Sequence, residues 1–174
     1  YPYDRLNRLV PITDAHPGGT VDLSIGTPFD PPPARVIEAL SSSGTERSYP
    51  PSIGTLPFRE AAQRWIRRRF DVDVPAGQIG ATIGSKEFVA TLPQWMQLRT
   101  PSRDTVLYPA ISYPSYEMGA ILAGCRPVPV RSLPDGRLDL DSIDPADAER
   151  ALLIWVNSPG NPTGALDDLD AAAR

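Results

Sequence analysis

The stretch LLIWVNSPGNPTG, Leu152–Gly164, joins an apolar run to a turn rich in Asn, Pro and Gly. A short apolar run bounded by turn residues is typical of a buried β-strand. In the turn, Asn161 carries an amide that donates and accepts hydrogen bonds, Pro162 fixes the backbone after it, and Gly164 permits a tight exit. Such amides suit a polar heteroaromatic ligand, but an isolated turn of this kind is more often an ordinary loop, so both interpretations remain open here.

Outward from this stretch, strand patterns alternate with helix patterns. The predicted strands are DTVLYP (104–109), RPVPVR (126–131) and ALLIWVN (151–157), and a helix is predicted over YPSYEMGAILAG (113–124). Alternation of this kind implies crossover connections. We therefore expect an α/β fold with a mostly parallel sheet and helices on both faces.

The first half of the chain contains further helix patterns. The apolar spacing in TLPFREAAQRWIRRRF (55–70) predicts a helix, as do the prolines before and the glycine after RVIEALSSS (35–43). VDLSIG (21–26) and QIGATIG (78–84) favour short strands. SKEFVATLPQWMQL (85–98) favours a helix that is kinked or broken before Pro93.

Composition narrows the classes of partner. Seventeen basic and 21 acidic residues give a net charge of −4, which offers no footprint for nucleic acid. No apolar run approaches the roughly 20 residues that span a bilayer. One histidine, His16, argues against a multi-histidine metal site, and one cysteine, Cys125, suits a reducing compartment. We expect a cytoplasmic protein without nucleic-acid, membrane or metal partners.

The carboxyl ends of parallel strands meet at one edge of a sheet, where ligands bind. That places Gly84–Lys86, Tyr108–Tyr113 and Asn157–Gly164 on one rim. In the turn TIGSKE, the start of a helix after small residues presents backbone N–H groups suited to phosphate, with Ser85 and Lys86 as further donors. A plain helix cap is the commoner use of such a turn. Likewise, the ring of Tyr113 could stack on a planar ligand or simply pack.

Taken together and in order, five segments resemble the fold-type I aminotransferases of class I/II, which use pyridoxal 5′-phosphate. These segments are LSIGTPFDPP (23–32), SYPPSIGTLPFREAA (48–62), IGSKE (83–87), YPAISYPSYEMGAILAG (108–124) and NSPGNPTG (157–164). The combination, particularly YPYDRL (1–6), HPGGTVDLSIGTP (16–28) and IGSKEFVATLP (83–93), looks most like the actinobacterial succinyldiaminopimelate aminotransferases of lysine biosynthesis. The resemblance implies an N-terminal segment and small-domain contribution over residues 1–45, and the first part of a cofactor-binding large domain over residues 46–174.

The resemblance also implies roles for single residues around the cofactor. Ser85 and Lys86 stand at the positions that bind the phosphate, and Tyr113 stands where a ring stacks on the pyridine ring. Asn161 resembles the asparagine that binds the phenolic oxygen, and Asn157 a supporting member of the same loop.

Two further roles implied by the resemblance lie earlier in the chain. Gly26 resembles the glycine beside the substrate carboxylate. Tyr49 resembles the tyrosine that reaches across a homodimer interface to the phosphate in the neighbouring subunit.

No catalytic residue is assigned within these 174 residues. The only lysine is Lys86, and its place in the phosphate turn makes it a poor candidate for the lysine that forms the Schiff base with the cofactor in this family. We therefore interpret the chain as the amino-terminal portion of an aminotransferase, inactive by itself. The resemblance implies a reaction that transfers an amino group from an amino acid to a 2-oxo acid. The expected donor is glutamate, which is common in this family, and the expected acceptor is N-succinyl-2-amino-6-oxopimelate.

Three alternatives remain. A carbon–sulfur β-lyase has a similar cofactor pocket, and fold analogy does not separate the two reactions. A noncatalytic aminotransferase-like effector-binding domain of a transcription regulator predicts a winged helix-turn-helix before the motif region. The few residues before VDLSIG leave no room for one, so this alternative requires such a module upstream of Tyr1. The last alternative is a generic α/β domain with coincidental matches.

Overall fold

The structure is a computed structural model and describes residues 2–23, 26, 28–44 and 47–172. Its α-helices are α1 (Val10–Asp14), α2 (Ala34–Ser41), α3 (Leu56–Phe70), α4 (Ser85–Arg99), α5 (Ser115–Leu122), α6 (Pro145–Glu149) and α7 (Leu169–Ala172). Its strands are β1 (Thr105–Pro109), β2 (Arg126–Val130) and β3 (Ala151–Ile154), and 3₁₀ helices cover Pro2–Arg8, Ala76–Gln78 and Leu140–Ser142.

The three strands form a parallel sheet in the order β2-β1-β3. Leu107, in the central strand β1, is in register with Val128 of β2 and Ile154 of β3. Helix α5 provides the crossover from β1 to β2, as the alternation of the sequence predicts. The predicted parallel α/β fold is confirmed.

Helices α4 and α5 cover one face of the sheet. The buried residues Val106, Ala120, Cys125 and Leu152 form the core on this side. The two helices approach closely at Gly119, where an added Cβ would lie 2.9 Å from the carbonyl oxygen of Val89. Because α4 and α5 both begin at the carboxyl end of the sheet, this packing fixes two segments of the predicted rim.

The opposite face is covered by the segment that follows β2. Its core contains Leu107, Val130 and Leu138, with Leu140 packed against them from the 3₁₀ helix Leu140–Ser142. In the part of the chain that the structure describes, this short 3₁₀ helix is the helical cover of that face.

The predicted strand over residues 78–84 is wrong. The 3₁₀ helix Ala76–Gln78 precedes an irregular segment, in which the Ala81 N–H donates to the Ile53 carbonyl at 3.0 Å. The Arg59 guanidinium donates to the carbonyls of Gly54 and Ala76 at 3.2 and 2.8 Å. The Ala81 N–H therefore has a tertiary partner in the segment before α3 instead of a strand partner, and Arg59 joins the neighbouring 3₁₀ helix to the same segment.

Helix α4 runs through Pro93 without a break, contrary to the predicted interruption. Proline removes one hydrogen bond from a helix, at a cost of about 3 kcal/mol. Pro93 is fully buried, so its packing against the molecule offsets this local cost. The strand predicted over 21–26 is not formed at Val21–Leu23, which are irregular and exposed, while Ser24 and Ile25 lie outside the described residues.

No helix among the described residues is both long and apolar enough to cross a membrane. Within the same residues, no group of three or more His, Cys, Asp or Glu side chains is arranged to hold a metal ion.

Candidate cofactor site

The first wall of the predicted rim is the amino terminus of α4. Its N-cap residue is Gly84, which offers no side-chain cap. The first intrahelical donors are the N–H groups of Glu87 and Phe88, which bond the Gly84 carbonyl at 3.1 and 3.4 Å. The N–H of Ser85 precedes them and has no acceptor within the helix. Together with the positive end of the helix dipole, this arrangement suits an anion such as phosphate.

The Glu87 side chain shapes the turn that leads into this helix. Its carboxylate accepts a hydrogen bond from the Ile83 N–H at 2.6 Å. The carboxylate is thereby bonded to the turn that precedes the helix. Ile83, the residue before the N-cap, is therefore fixed by this hydrogen bond, although Gly84 has no side chain that could form a cap.

Tyr113 forms the second wall, directly before α5. The Nζ atom of Lys86 lies 5.7 Å from the centroid of the Tyr113 ring, within cation–π distance. The ring is half-buried and makes an edge contact with Tyr116, with centroids 6.5 Å apart. The structure therefore brings the start of α4 and the predicted stacking ring together.

The third wall is the loop NSPGNPTG after β3. With its amide oxygen facing Asn161, the Asn157 side chain accepts from the Asn161 N–H at 3.2 Å and donates to the Pro159 carbonyl at 3.3 Å. The loop closes through a hydrogen bond of 2.7 Å from the Gly164 N–H to the Gly160 carbonyl. Both X–Pro bonds of the loop, Ser158–Pro159 and Asn161–Pro162, are cis. Asn157 thus holds the backbone of Asn161, while the Asn161 residue remains exposed.

The second and third walls adjoin each other. A small cavity of about 20 Å³ is lined by Ile111 and Ser112 on one side and by Asn157 and Asn161 on the other. Ser112 is fixed by a hydrogen bond of 2.6 Å from its hydroxyl to the Pro109 carbonyl at the end of β1. The loop that leads to Tyr113 therefore contacts the asparagine loop.

A larger cavity of about 220 Å³ adjoins the small one and shares Leu138 and Asp167 with it; its further lining includes Leu133, Leu140 and Val156. None of the predicted site residues lines it. Cavity size alone therefore does not indicate the cofactor site in this chain.

The structure does not bring Tyr49 or Gly26 to the rim. Tyr49 is fully exposed, at 102%, and Gly26 is exposed with open space where a side chain would stand. Their roles therefore stay predictions, as does the division of the chain at residue 45.

Sequence reasoning missed two residues that hold the site. The Asp167 carboxylate accepts from the Leu138 N–H at 2.7 Å, and its own N–H donates to the Ser158 hydroxyl at 3.0 Å. Trp155 stacks on Tyr116 with ring centroids 5.1 Å apart. An aromatic at the end of a strand is a weak signal, and the 29-residue separation of Asp167 from Leu138 gives none.

Beneath the second wall, Tyr108 is buried near the end of β1. Burial and the negative charge and hydrogen bonding of Glu117 raise its pKa to about 12. Its phenol therefore stays neutral across the physiological pH range and supports the first turn of α5.

Comparisons with known proteins agree with this geometry. The family profile described as aminotransferase class I and II matches residues 19–172. A 4-dedimethylamino-4-oxo-anhydrotetracycline transaminase of Streptomyces rimosus is 38% identical over 94% of this chain and 42% of its own length. The LL-diaminopimelate aminotransferase of Aquifex aeolicus is 39% identical over 86% of this chain and 40% of its own length.

Solved structures are similar over nearly the whole chain. The crystal structure of an aminotransferase from Neisseria meningitidis has a TM-score of 0.86 at 31% identity, covering 98% of this chain and 44% of that one. A probable N-succinyldiaminopimelate aminotransferase from Thermus thermophilus has a TM-score of 0.82 at 32% identity, covering 98% and 47%. The chain thus spans less than half the length of these relatives.

The fold and the rim define a member of the fold-type I class of pyridoxal-phosphate proteins, and the family match covers most of the sequence. The chain belongs to the class I and II aminotransferase family. The cofactor of this family is pyridoxal phosphate, as the resemblance implied. The residues present fit that group, because a helix start adjoins the ring of Tyr113, and the loop that leads to this ring lines a cavity together with Asn157 and Asn161.

Proposed function

We propose that the polypeptide carrying this chain is an aminotransferase that moves an amino group between an amino acid and a 2-oxo acid. The observation that carries the proposal is the convergence of the α4 start, Tyr113 and the asparagine loop at one edge of the sheet. This chain supplies these three walls of the pocket and not the lysine of the proton shuttle.

Each wall has a distinct task in the proposed pocket. Ser85 and Lys86 hold the phosphate through the helix terminus, a hydroxyl and a charge. Tyr113 stacks on the pyridine ring, and its contacts with Lys86 and Tyr116 limit the tilt of that ring. Asn161 donates to the phenolic oxygen, and Asn157 holds the Asn161 backbone in place. When bound, pyridoxal phosphate supplies an electron sink for charge that develops at the substrate α-carbon.

The proposed substrates are glutamate and N-succinyl-2-amino-6-oxopimelate, within the cytoplasmic route to diaminopimelate and lysine. The N-terminal motifs and the similarity to diaminopimelate and N-succinyldiaminopimelate aminotransferases support this choice. A transaminase of a tetracycline precursor is also similar to this chain, so the amino acceptor is the substrate that varies among the relatives. In this proposal Gly26 lies beside the substrate carboxylate, and Tyr49 completes the phosphate site of the partner in a homodimer.

Replacement of Asn161 by alanine tests the pocket. A hydrogen bond to a charged group is worth about 1.5–3 kcal/mol, so Asn161→Ala should weaken cofactor binding roughly 10- to 100-fold. Titration of the intact polypeptide with pyridoxal phosphate, followed by visible absorbance, measures this change. Asn7→Ala, an exposed asparagine in the first 3₁₀ helix, is the control and should bind as the parent does.

The reaction is tested with the intact, cofactor-loaded polypeptide. Incubation with glutamate should convert the cofactor to its amino form and release 2-oxoglutarate. N-succinyl-2-amino-6-oxopimelate should then restore the original absorbance. Release of pyruvate from cystathionine without this amino transfer would instead identify a carbon–sulfur β-lyase and refute the proposal.

A further inference from the structure

Four aromatic side chains form a continuous row behind the rim. Tyr113 meets Tyr116 edge-on at 6.5 Å, Tyr116 stacks on Trp155 at 5.1 Å with planes 27° apart, and Trp155 meets Phe88 edge-on at 6.1 Å. We call Tyr113, Tyr116, Trp155 and Phe88 the aromatic row. Its members come from all three walls, because Phe88 is in the first turn of α4, Tyr116 is in α5 and Trp155 follows β3.

Trp155 is the member that joins the other walls to the sheet. Its backbone N–H donates to the Leu107 carbonyl of β1 at 2.9 Å, so its position along the strand is fixed. The chain reaches Asn157 two residues later. The Trp155 ring contacts Phe88 on one side and Tyr116 on the other, so the positions of both rings depend on that of the sheet.

The indole is held by ring contacts. Its Nε1 atom is buried and has no hydrogen-bond partner among the residues that the structure describes. Stacked and edge-on aromatic pairs stabilise a structure beyond their burial and favour defined angles. The ring system, and not the N–H group, is the feature that orders the neighbouring elements.

We infer that Trp155 is a positioning residue of the cofactor pocket, which sets the spacing between the phosphate-binding start of α4, the Tyr113 ring and the asparagine loop. The inference rests on the proposed function. Trp155 acts through Phe88, Tyr116 and its own strand, and it is not assigned a contact with the cofactor. A displacement of about 1 Å between such groups is enough to cost around 100-fold in catalysis.

The test compares Trp155→Ala with Trp155→Phe in the intact polypeptide. The readouts are the pyridoxal-phosphate dissociation constant and the circular dichroism of the bound cofactor at saturation, both measured well below each variant's unfolding temperature. Trp155→Ala should raise the dissociation constant at least about tenfold and reduce the dichroism per bound cofactor, because the walls lose their common spacer. Trp155→Phe keeps a ring and should stay within about threefold of the parent in affinity, with the dichroism retained.

Two controls separate positioning from general stability. Val130→Ala removes buried methyl groups from the core on the opposite face of the sheet and should lower the unfolding temperature with cofactor affinity and dichroism unchanged. Trp95→Phe changes a half-exposed tryptophan of α4 outside the aromatic row and should leave both readouts as in the parent.

Several results would overturn the inference. Unchanged affinity and dichroism in Trp155→Ala would do so, as would a Trp155→Phe variant as impaired as the alanine variant, since the N–H group would then matter more than the ring. If Trp155→Ala does not fold, Phe88→Leu breaks the same row from α4 and should weaken binding with lowered dichroism; an unchanged Phe88→Leu refutes the inference. Failure of the parent polypeptide itself to bind pyridoxal phosphate would instead refute the proposed function.

Discussion

At the scale of single residues, the two asparagines of the NSPGNPTG loop have different tasks. Asn157 uses its amide inside the loop, where it bonds the Asn161 N–H and the Pro159 carbonyl. Asn161 keeps its side chain outside these loop bonds and on the exposed edge. Because the Asn157 amide bonds the loop backbone, the loop is held rigid and the Asn161 amide is pre-organised for a ligand. Such pre-organisation lowers the entropy lost on binding.

Tyr108 gives a prediction at the same scale, because its pKa is raised to about 12 in the folded chain. The unfolded chain releases this proton near pH 10, so the folded state binds more protons above that pH. The stabilising contribution is complete below about pH 10 and is lost as the pH rises toward 12. Between pH 9 and pH 11 the parent should lose about 1.4 kcal/mol of unfolding free energy relative to Tyr108→Phe. Urea denaturation at both pH values measures the difference.

Glu117→Gln is the control for this titration. It removes the negative charge that contributes to the raised pKa and leaves the burial of Tyr108 in place. The pH-dependent loss should then be smaller than in the parent. Identical pH dependence in the parent and in Tyr108→Phe would show that Tyr108 titrates normally.

At the scale of elements, the contact between α4 and α5 positions two walls of the pocket. Gly119 lies at this contact, where a Cβ would stand 2.9 Å from the Val89 carbonyl oxygen and 3.1 Å from the Ala90 Cα. Both neighbours are backbone atoms and cannot rotate away. The absence of a side chain at residue 119 thus allows α5, and Tyr113 before it, to lie close to the start of α4.

Gly119→Ala should therefore destabilise the protein, although alanine favours a helix over glycine by about 1 kcal/mol. Overpacking of a close contact costs about 1–3 kcal/mol, which exceeds that gain. Thermal unfolding should show a lower midpoint for Gly119→Ala. Gly77→Ala, where a Cβ meets nothing within 4 Å among the described residues, should be unchanged or slightly more stable. A Gly119→Ala variant more stable than the parent would show that α5 moves away at little cost.

At the scale of the whole molecule, Tyr49 is the predicted site residue whose role depends on a second subunit. Its side chain is fully exposed. Such exposure of an aromatic side chain is consistent with a role in a partner subunit, and the proposed homodimer supplies that partner.

Mixing of two impaired variants tests this arrangement. Tyr49→Phe and Asn161→Ala should each lose activity in the intact polypeptide. If Tyr49 serves the neighbouring site, a mixed dimer contains one fully intact pocket, so random exchange should restore about a quarter of the parent activity. Unfolding and refolding of the two variants together, followed by an amino-transfer assay, measures the recovery; no recovery beyond the separate variants would place Tyr49 in its own subunit's site or outside any site.

Much of the sheet could be predicted from local sequence. The strands at 105–109, 126–130 and 151–154 and the helices at 56–70 and 115–122 fall within the predicted segments. Each depends on signals within a few residues, namely apolar spacing, prolines and glycines. The strand prediction over 78–84 is wrong because the Ala81 N–H bonds the carbonyl of Ile53, which lies far earlier in the sequence and gives no local signal.

The sequence by itself determined the alternation of strands and helices from residue 104 to residue 157, the family and the residue types at the three turns, since these depend on short patterns and their order. Only the tertiary structure decided that Lys86 faces Tyr113, that Asn157 holds Asn161 and that Trp155 joins three elements. It also decided that α4 continues through Pro93. The physical reason is that local patterns act over a few residues, whereas these contacts depend on packing between elements that are far apart along the chain.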